Sequence, residues 1–124
     1  MQTADLFERR EITPESVLQA LSGCVGESRG ATAEALALSI TGRRCAADLR
    51  SLRRVVEALR SAGHRICAHP GHGYWLAASD TELNTTCAFL YERAMTSLRQ
   101  IGAMKRVALP DLAGQLGLPI RSKP

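Results

Sequence analysis

Aromatic side chains are nearly missing from this chain: one Trp, two Tyr and two Phe among 124 residues, 4% of the total. A core must therefore rest on Leu, Ile, Val and Ala. Long apolar runs are missing too; nothing approaches the roughly 18 consecutive residues of a membrane-spanning helix. The opening stretch "MQTADLFERREITPE" is polar and charged, without the apolar segment of a secretory signal. Cys24, Cys45, Cys67 and Cys87 include no CxxC pair, so reduced thiols in a cytoplasmic protein are expected. Catalytic signatures are equally scarce. There is no GxSxG, P-loop or HExxH motif, and "GCVGESRG" lacks the Lys-Ser/Thr that would hold a nucleotide. Cys67 and His69, two apart on a strand, are poorly placed to act as nucleophile and base. The expectation is a protein that is not an enzyme and carries no cofactor.

What is present is a local excess of positive charge. The chain carries a net +4, yet Arg43 to Arg65 holds seven arginines against only Asp48 and Glu57, a surplus of five. The remainder sums to −1. A basic region on a balanced chain suits an anionic partner, most often nucleic acid. An evenly solvated helix face would mix its charges instead.

Patterning divides the chain into a lead-in (residues 1–11), a domain (residues 12–78) and a C-terminal helical extension with a tail (residues 79–124). In "TPESVLQALSG", Thr13 is a candidate N-cap, Pro14 suits the first turn, and Val17, Leu18 and Leu21 share a face. "CVGESRG" reads as a loop. "ATAEALALS" reads as a second helix, and Thr41 and Gly42 interrupt it. Arg43 to Ala62 contains neither Gly nor Pro. There Cys45, Leu49, Leu52, Val56 and Leu59 step by four, three, four and three, which predicts one long helix with those residues buried.

"HRICAH" and "GYWLAA" alternate around "PGHG", which predicts a β-hairpin. Ile66 and Tyr74 or Leu76 should face the core, with Arg65, Cys67 and His69 on the other face. "SDTE" at Ser79–Glu82 is a capping-box pattern opening a further helix, with the stripe Leu83, Cys87, Leu90, Ala94, Leu98 and Ile101. Pro110 closes that segment ahead of "DLAGQLGL". The fold class is mainly α with a small β-hairpin. The order of helices before the hairpin is that of a winged helix-turn-helix, with an additional long C-terminal helix.

Two stretches strengthen that reading. "ITGRRCAADLRSL" resembles the helix-turn-helix core of bacterial winged-helix repressors of the DeoR kind, at Ile40, Thr41, Cys45, Asp48, Leu49 and Leu52. "AGHRICAHPGHGYWL" is similar to the wing of biotin-repressor-type domains. Together they cover about residues 31 to 78, and the whole chain resembles small winged-helix proteins of bacteriophage and prophage clusters. The resemblance implies a DNA-binding transcriptional regulator. Departures exist: the glycine after Leu52 arrives only at Gly63, about two helical turns later than in those repressors. Ala46 and Ala47 stand where such repressors commonly carry basic residues.

The candidate site follows from a helix entering the major groove of double-stranded DNA, where Arg can bond guanine through two parallel hydrogen bonds. With Cys45, Leu49 and Leu52 inward, Arg43, Arg44, Ala47 and Arg50 fall outward. Thr41 and the first-turn amides suit a phosphate. Arg53 and Arg54 suit the phosphate backbone, whereas Glu57 is expected to pair with Arg53 or Arg60. Arg65, His69 and His72 would bring the wing to DNA. Zinc on His64, Cys67, His69 and His72 is the sharper alternative, but the spacing lacks the paired pattern of structural zinc sites. Trp75 suits hairpin packing better than base stacking. The helix over residues 80–105, its stripe bordered by Tyr91, Arg93 and Arg99, suits either of two roles that the sequence does not separate: covering the winged domain or forming a homodimer. The competing functions are a protein–protein adaptor on a winged-helix fold and a structured-RNA binder.

Overall fold

A computed structural model of the protein describes residues 11–106. The lead-in before Glu11 and the piece expected from Pro110 onward lie outside those residues. The chain divides between Ser79 and Asp80 into two compact units. It is mainly helical, with one small antiparallel sheet. Among the described residues, no helix is long and apolar enough to cross a membrane.

In the first unit, α1 runs Pro14–Leu21. Thr13 and Ser16 cap it reciprocally: the Ser16 amide donates to Thr13 Oγ1 at 3.1 Å, and the Thr13 amide donates to Ser16 Oγ at 2.9 Å. Two of the donors that a helix start leaves unpaired are thus satisfied. Helix α2 spans Ala33–Thr41, with Thr32 accepting from the Ala35 amide, and α3 spans Ala46–Ser61. Val17 and Leu21 from α1, Leu36 and Ile40 from α2, and Leu52, Val56 and Leu59 from α3 meet Ile66 in a single apolar cluster. Removing such branched aliphatic side chains from water contributes about 1.5–3 kcal/mol each, which suffices for a core almost without aromatics.

The hairpin joins β1 (Ile66–His69) to β2 (Gly73–Leu76), pairing Ile66 with Leu76, Cys67 with Trp75, Ala68 with Tyr74 and His69 with Gly73. Its tip is tight. The His72 amide donates to the His69 carbonyl at 3.0 Å, and Gly73 follows with φ +80°. A type I turn closed by a left-handed glycine matches the natural twist of two strands.

Two corrections concern this region. The "CVGESRG" stretch is more than a loop, because it closes the free edge of β2. Leu76 donates to the Cys24 carbonyl at 2.7 Å and accepts from the Gly26 amide at 2.9 Å, while Tyr74 and Ala31 exchange bonds of 2.7 and 2.9 Å. The glycines and polar residues that mark a loop do not reveal that its backbone pairs at a distance.

Cys67, expected on an outer face, is completely buried, and its cross-strand partner Trp75 is 4% exposed. Alternation assigns one face of a strand to the core, but it does not require the other face to stay wet. Trp75 therefore packs within the hairpin, as its strand position predicts.

The second unit contains α4, Asp80–Lys105, opening where the Ser79–Glu82 pattern predicts a start. Its buried residues are Thr86, Met95 and Gly102, whereas Leu90 and Ile101 of the expected stripe are exposed. Apolar residues spread over a wide arc of this helix, so spacing alone does not select which line is covered.

Candidate nucleic-acid interface

Helix α2 ends because Gly42 adopts φ +74° and ψ 12°, the left-handed conformation that reverses the chain, with its amide on the Leu38 carbonyl at 2.8 Å. The next helix does not resume at Arg43, as the uninterrupted run predicts. It begins at Ala46, after an extended Cys45 with φ −153°. Arg43, Arg44 and Cys45 are therefore turn residues, and Cys45 is exposed rather than buried.

Thr41 corrects a second expectation. It was placed at a phosphate, yet it is 0% exposed. Its hydroxyl donates to the Ala37 carbonyl at 2.8 Å and accepts from the Arg43 amide at 3.2 Å. A hydroxyl so engaged inside the turn shapes it and is closed to a phosphate.

Arg43 is the third correction. Its guanidinium faces the Asp48 carboxylate in a two-bond fork, Nε to Oδ2 and Nη2 to Oδ1, each at 2.9 Å. Planar guanidinium and carboxylate groups match in this geometry, so the edge of Arg43 that would fork onto a guanine is occupied by Asp48. The more exposed contact from Arg43 to Glu11, at 3.7 Å, contributes little. Asp48, not Cys45, takes the buried position at the start of α3, with 4% exposure. It also sits in the helix's first turn, where the backbone dipole favours a negative charge. Arg43's hydrogen bonds hold the carboxyl below the ordinary range, against desolvation, and Asp48 raises Arg43 above its own.

The sign of the linkage gives a test. A carboxylate whose folded pKa is depressed stabilises the fold above its unfolded value, about 3.9, and that contribution is lost as pH falls through the lower folded value. Asp48→Asn is expected to lower the melting temperature at pH 7. The gap from the parent protein should shrink as both are melted at pH values descending from about 4. A gap independent of pH would show that the Asp48 charge does not contribute.

With those groups committed, the outward face of α3 is simple. Arg44, Ala47, Arg50, Arg53 and Arg54 are exposed, and among the described residues none of these arginines is held by a hydrogen bond or ion pair. The expected pairing of Glu57 does not form there either. Arg60 instead turns back into the domain, its Nε donating to the Ile66 carbonyl at 2.9 Å. This joins the end of α3 to β1 and removes one cation from the basic face.

The hairpin carries the remaining candidates, Arg65, His69 and His72, all exposed. His72 Nε2 lies 3.4 Å from Glu27 Oε2, in the short 3₁₀ turn Glu27–Arg29. Its ring edge faces Trp75 at 6.3 Å between centroids. His69 Nδ1 accepts from the Gly71 amide at 2.9 Å, and the two imidazoles stand 5.2 Å apart. Among the described residues, no group of three His, Cys, Asp or Glu is placed to hold a metal.

Sequence reasoning missed three partners: Asp48 for Arg43, Glu27 for His72 and the Ile66 carbonyl for Arg60. The five-residue separation of Arg43 and Asp48 is not a pairing interval within a helix, and only a turn brings them together. Comparison with known proteins finds no counterpart: no family model matches the chain, and no curated protein or solved structure matches it.

Proposed function

We propose that this protein binds double-stranded DNA as a small bacterial or phage transcriptional regulator of the winged helix-turn-helix kind. The observation that carries the proposal is the division of labour on α3. One face, with Leu52, Val56 and Leu59, is buried in the core. The opposite face presents Arg50, Arg53 and Arg54, and Arg44 precedes it in the left-handed turn.

An α-helix with its side chains is about 10–12 Å across, and the major groove of DNA is about 12 Å wide, so the groove admits the exposed first turns of α3. The deep, narrow major groove of double-stranded RNA does not admit a helix, which disfavours duplex RNA as the partner. Arg53, Arg54 and Arg65 serve the phosphate backbone, with His69 and His72 at the wing tip. In the second unit, Phe89, Leu90, Ile101 and Met104 stand exposed. Pairing of two chains through residues 80–105 belongs to the same proposal, and two-fold symmetry in the bound sequence is its sign.

The test is a titration of the full chain against random-sequence duplex DNA at several salt concentrations. With about four phosphate contacts, affinity should fall on the order of a hundredfold between about 50 and 200 mM salt. No duplex binding at the low end overturns the proposal. Preference for structured RNA, or a protein partner retained without duplex affinity, moves the site to one of the competing functions.

A further inference from the structure

We infer that the reading end of α3 selects a guanine beside a thymine, with Arg50 on the guanine and the Ala47 methyl on the thymine. The inference rests on the DNA-binding proposal and narrows it to a base pattern. Its starting point is what this end of the helix does not offer.

Each base pair shows a distinct edge in the major groove, and each edge needs a particular side chain. Guanine takes a forked Arg or Lys, adenine a forked Asn or Gln, cytosine a carboxylate, and the thymine methyl an apolar contact. Between Gly42 and Arg54 there is no Asn and no Gln, so adenine has no forked reader. The one carboxylate in that span is Asp48, buried and held by both bonds from Arg43, so cytosine has none either. The same pair removes Arg43. What remains exposed is Arg44 and Cys45 in the turn, the methyls of Ala46 and Ala47, Arg50 about one turn further on, and beyond it Arg53 and Arg54, which serve the phosphate backbone.

Direction settles which arginine reads. Helical side chains lean toward the N-terminus, so a residue covers the surface ahead of its own Cα. Arg50, three residues after Ala47 and four after Ala46, therefore leans forward along the alanine pair. It issues from a helix anchored by the neighbouring Leu52. Arg44 issues from the turn and is assigned to the phosphate flank. A guanidinium beside a methyl is complementary to the O6 and N7 acceptors of guanine beside the thymine methyl. The Arg43–Asp48 fork is the positioning element, because it fixes the turn that presents this edge.

The experiment is selection from a random duplex pool, followed by titration of the enriched site with single-atom changes. The enriched half-site is expected to contain adjacent G and T. Uracil in place of that thymine removes only the methyl and should weaken the parent protein about fourfold, the equivalent of one buried methyl group. Deazaguanine lacking N7 should weaken it about fivefold or more. In Ala47→Gln the uracil effect should vanish and preference at that position should move toward adenine. In Arg50→Ala the deazaguanine effect should vanish. Selective binding to a site without the G–T step, or parent affinities unchanged by either base analogue, overturns the inference and leaves DNA binding standing. Failure to bind any duplex overturns both.

Discussion

Alanine in place of Gly73 is expected to destabilise the first unit by about 3 kcal/mol or more, from two costs acting together. At φ +80° a side chain meets its own backbone, which costs roughly 1–2 kcal/mol. A Cβ at this position would also overlap the Ala31 carbonyl, and that carbonyl accepts the Tyr74 amide. Relief would require β2 to leave the segment that closes its edge. Gly42 is the control. Its φ of +74° is nearly the same, but a Cβ there meets nothing within 4 Å, so Gly42→Ala should cost only the backbone part. Thermal melts of both variants decide the matter. A drop about twice as large or more is expected for Gly73→Ala, and equal drops would mean that the approach of Ala31 is unimportant.

The largest effect on binding is expected from Arg50→Glu combined with Arg54→Glu. Both positions are exposed on the outward face of α3, so stability should change by no more than about 0.5 kcal/mol per site. Duplex affinity should nevertheless fall about a hundredfold or more. Two attractive contacts are lost, and two carboxylates are brought to a phosphate surface. The melting temperature, measured alongside, separates this from unfolding. The single change Arg54→Ala should weaken all sequences alike and reduce the salt slope by about one, whereas Arg50→Ala should alter base preference. Affinity retained by the double variant would remove α3 as the interface.

The first prediction depends on a turn and the second on a helix face, and it is at turns that sequence and structure part. The start of α1 is legible because Thr13 and Pro14 act through their immediate neighbours. The position of the hairpin is legible for the same reason, since "PGHG" supplies the left-handed residue its closure needs. The inward stripe Leu52, Val56 and Leu59 emerges from helical spacing, as does the outward position of Arg50 and Arg54. Arg43 and Cys45 are misread for one shared reason. Helical periodicity continued back through residues 43–45 predicts the wrong faces once the helix starts at Ala46.

Sequence by itself determined which residues are apolar at helical and strand intervals, where the hairpin must turn, and that the positive charge is concentrated around α3. Those properties are local, set by each residue's conformational preferences and by its spacing from near neighbours. Only the tertiary structure decided that Asp48 goes inside and occupies Arg43, that Arg60 turns back to Ile66, and that the Cys24–Ala31 stretch pairs with β2. In each case a polar group leaving water must find a partner, and that partner is supplied by the fold rather than by the interval along the chain.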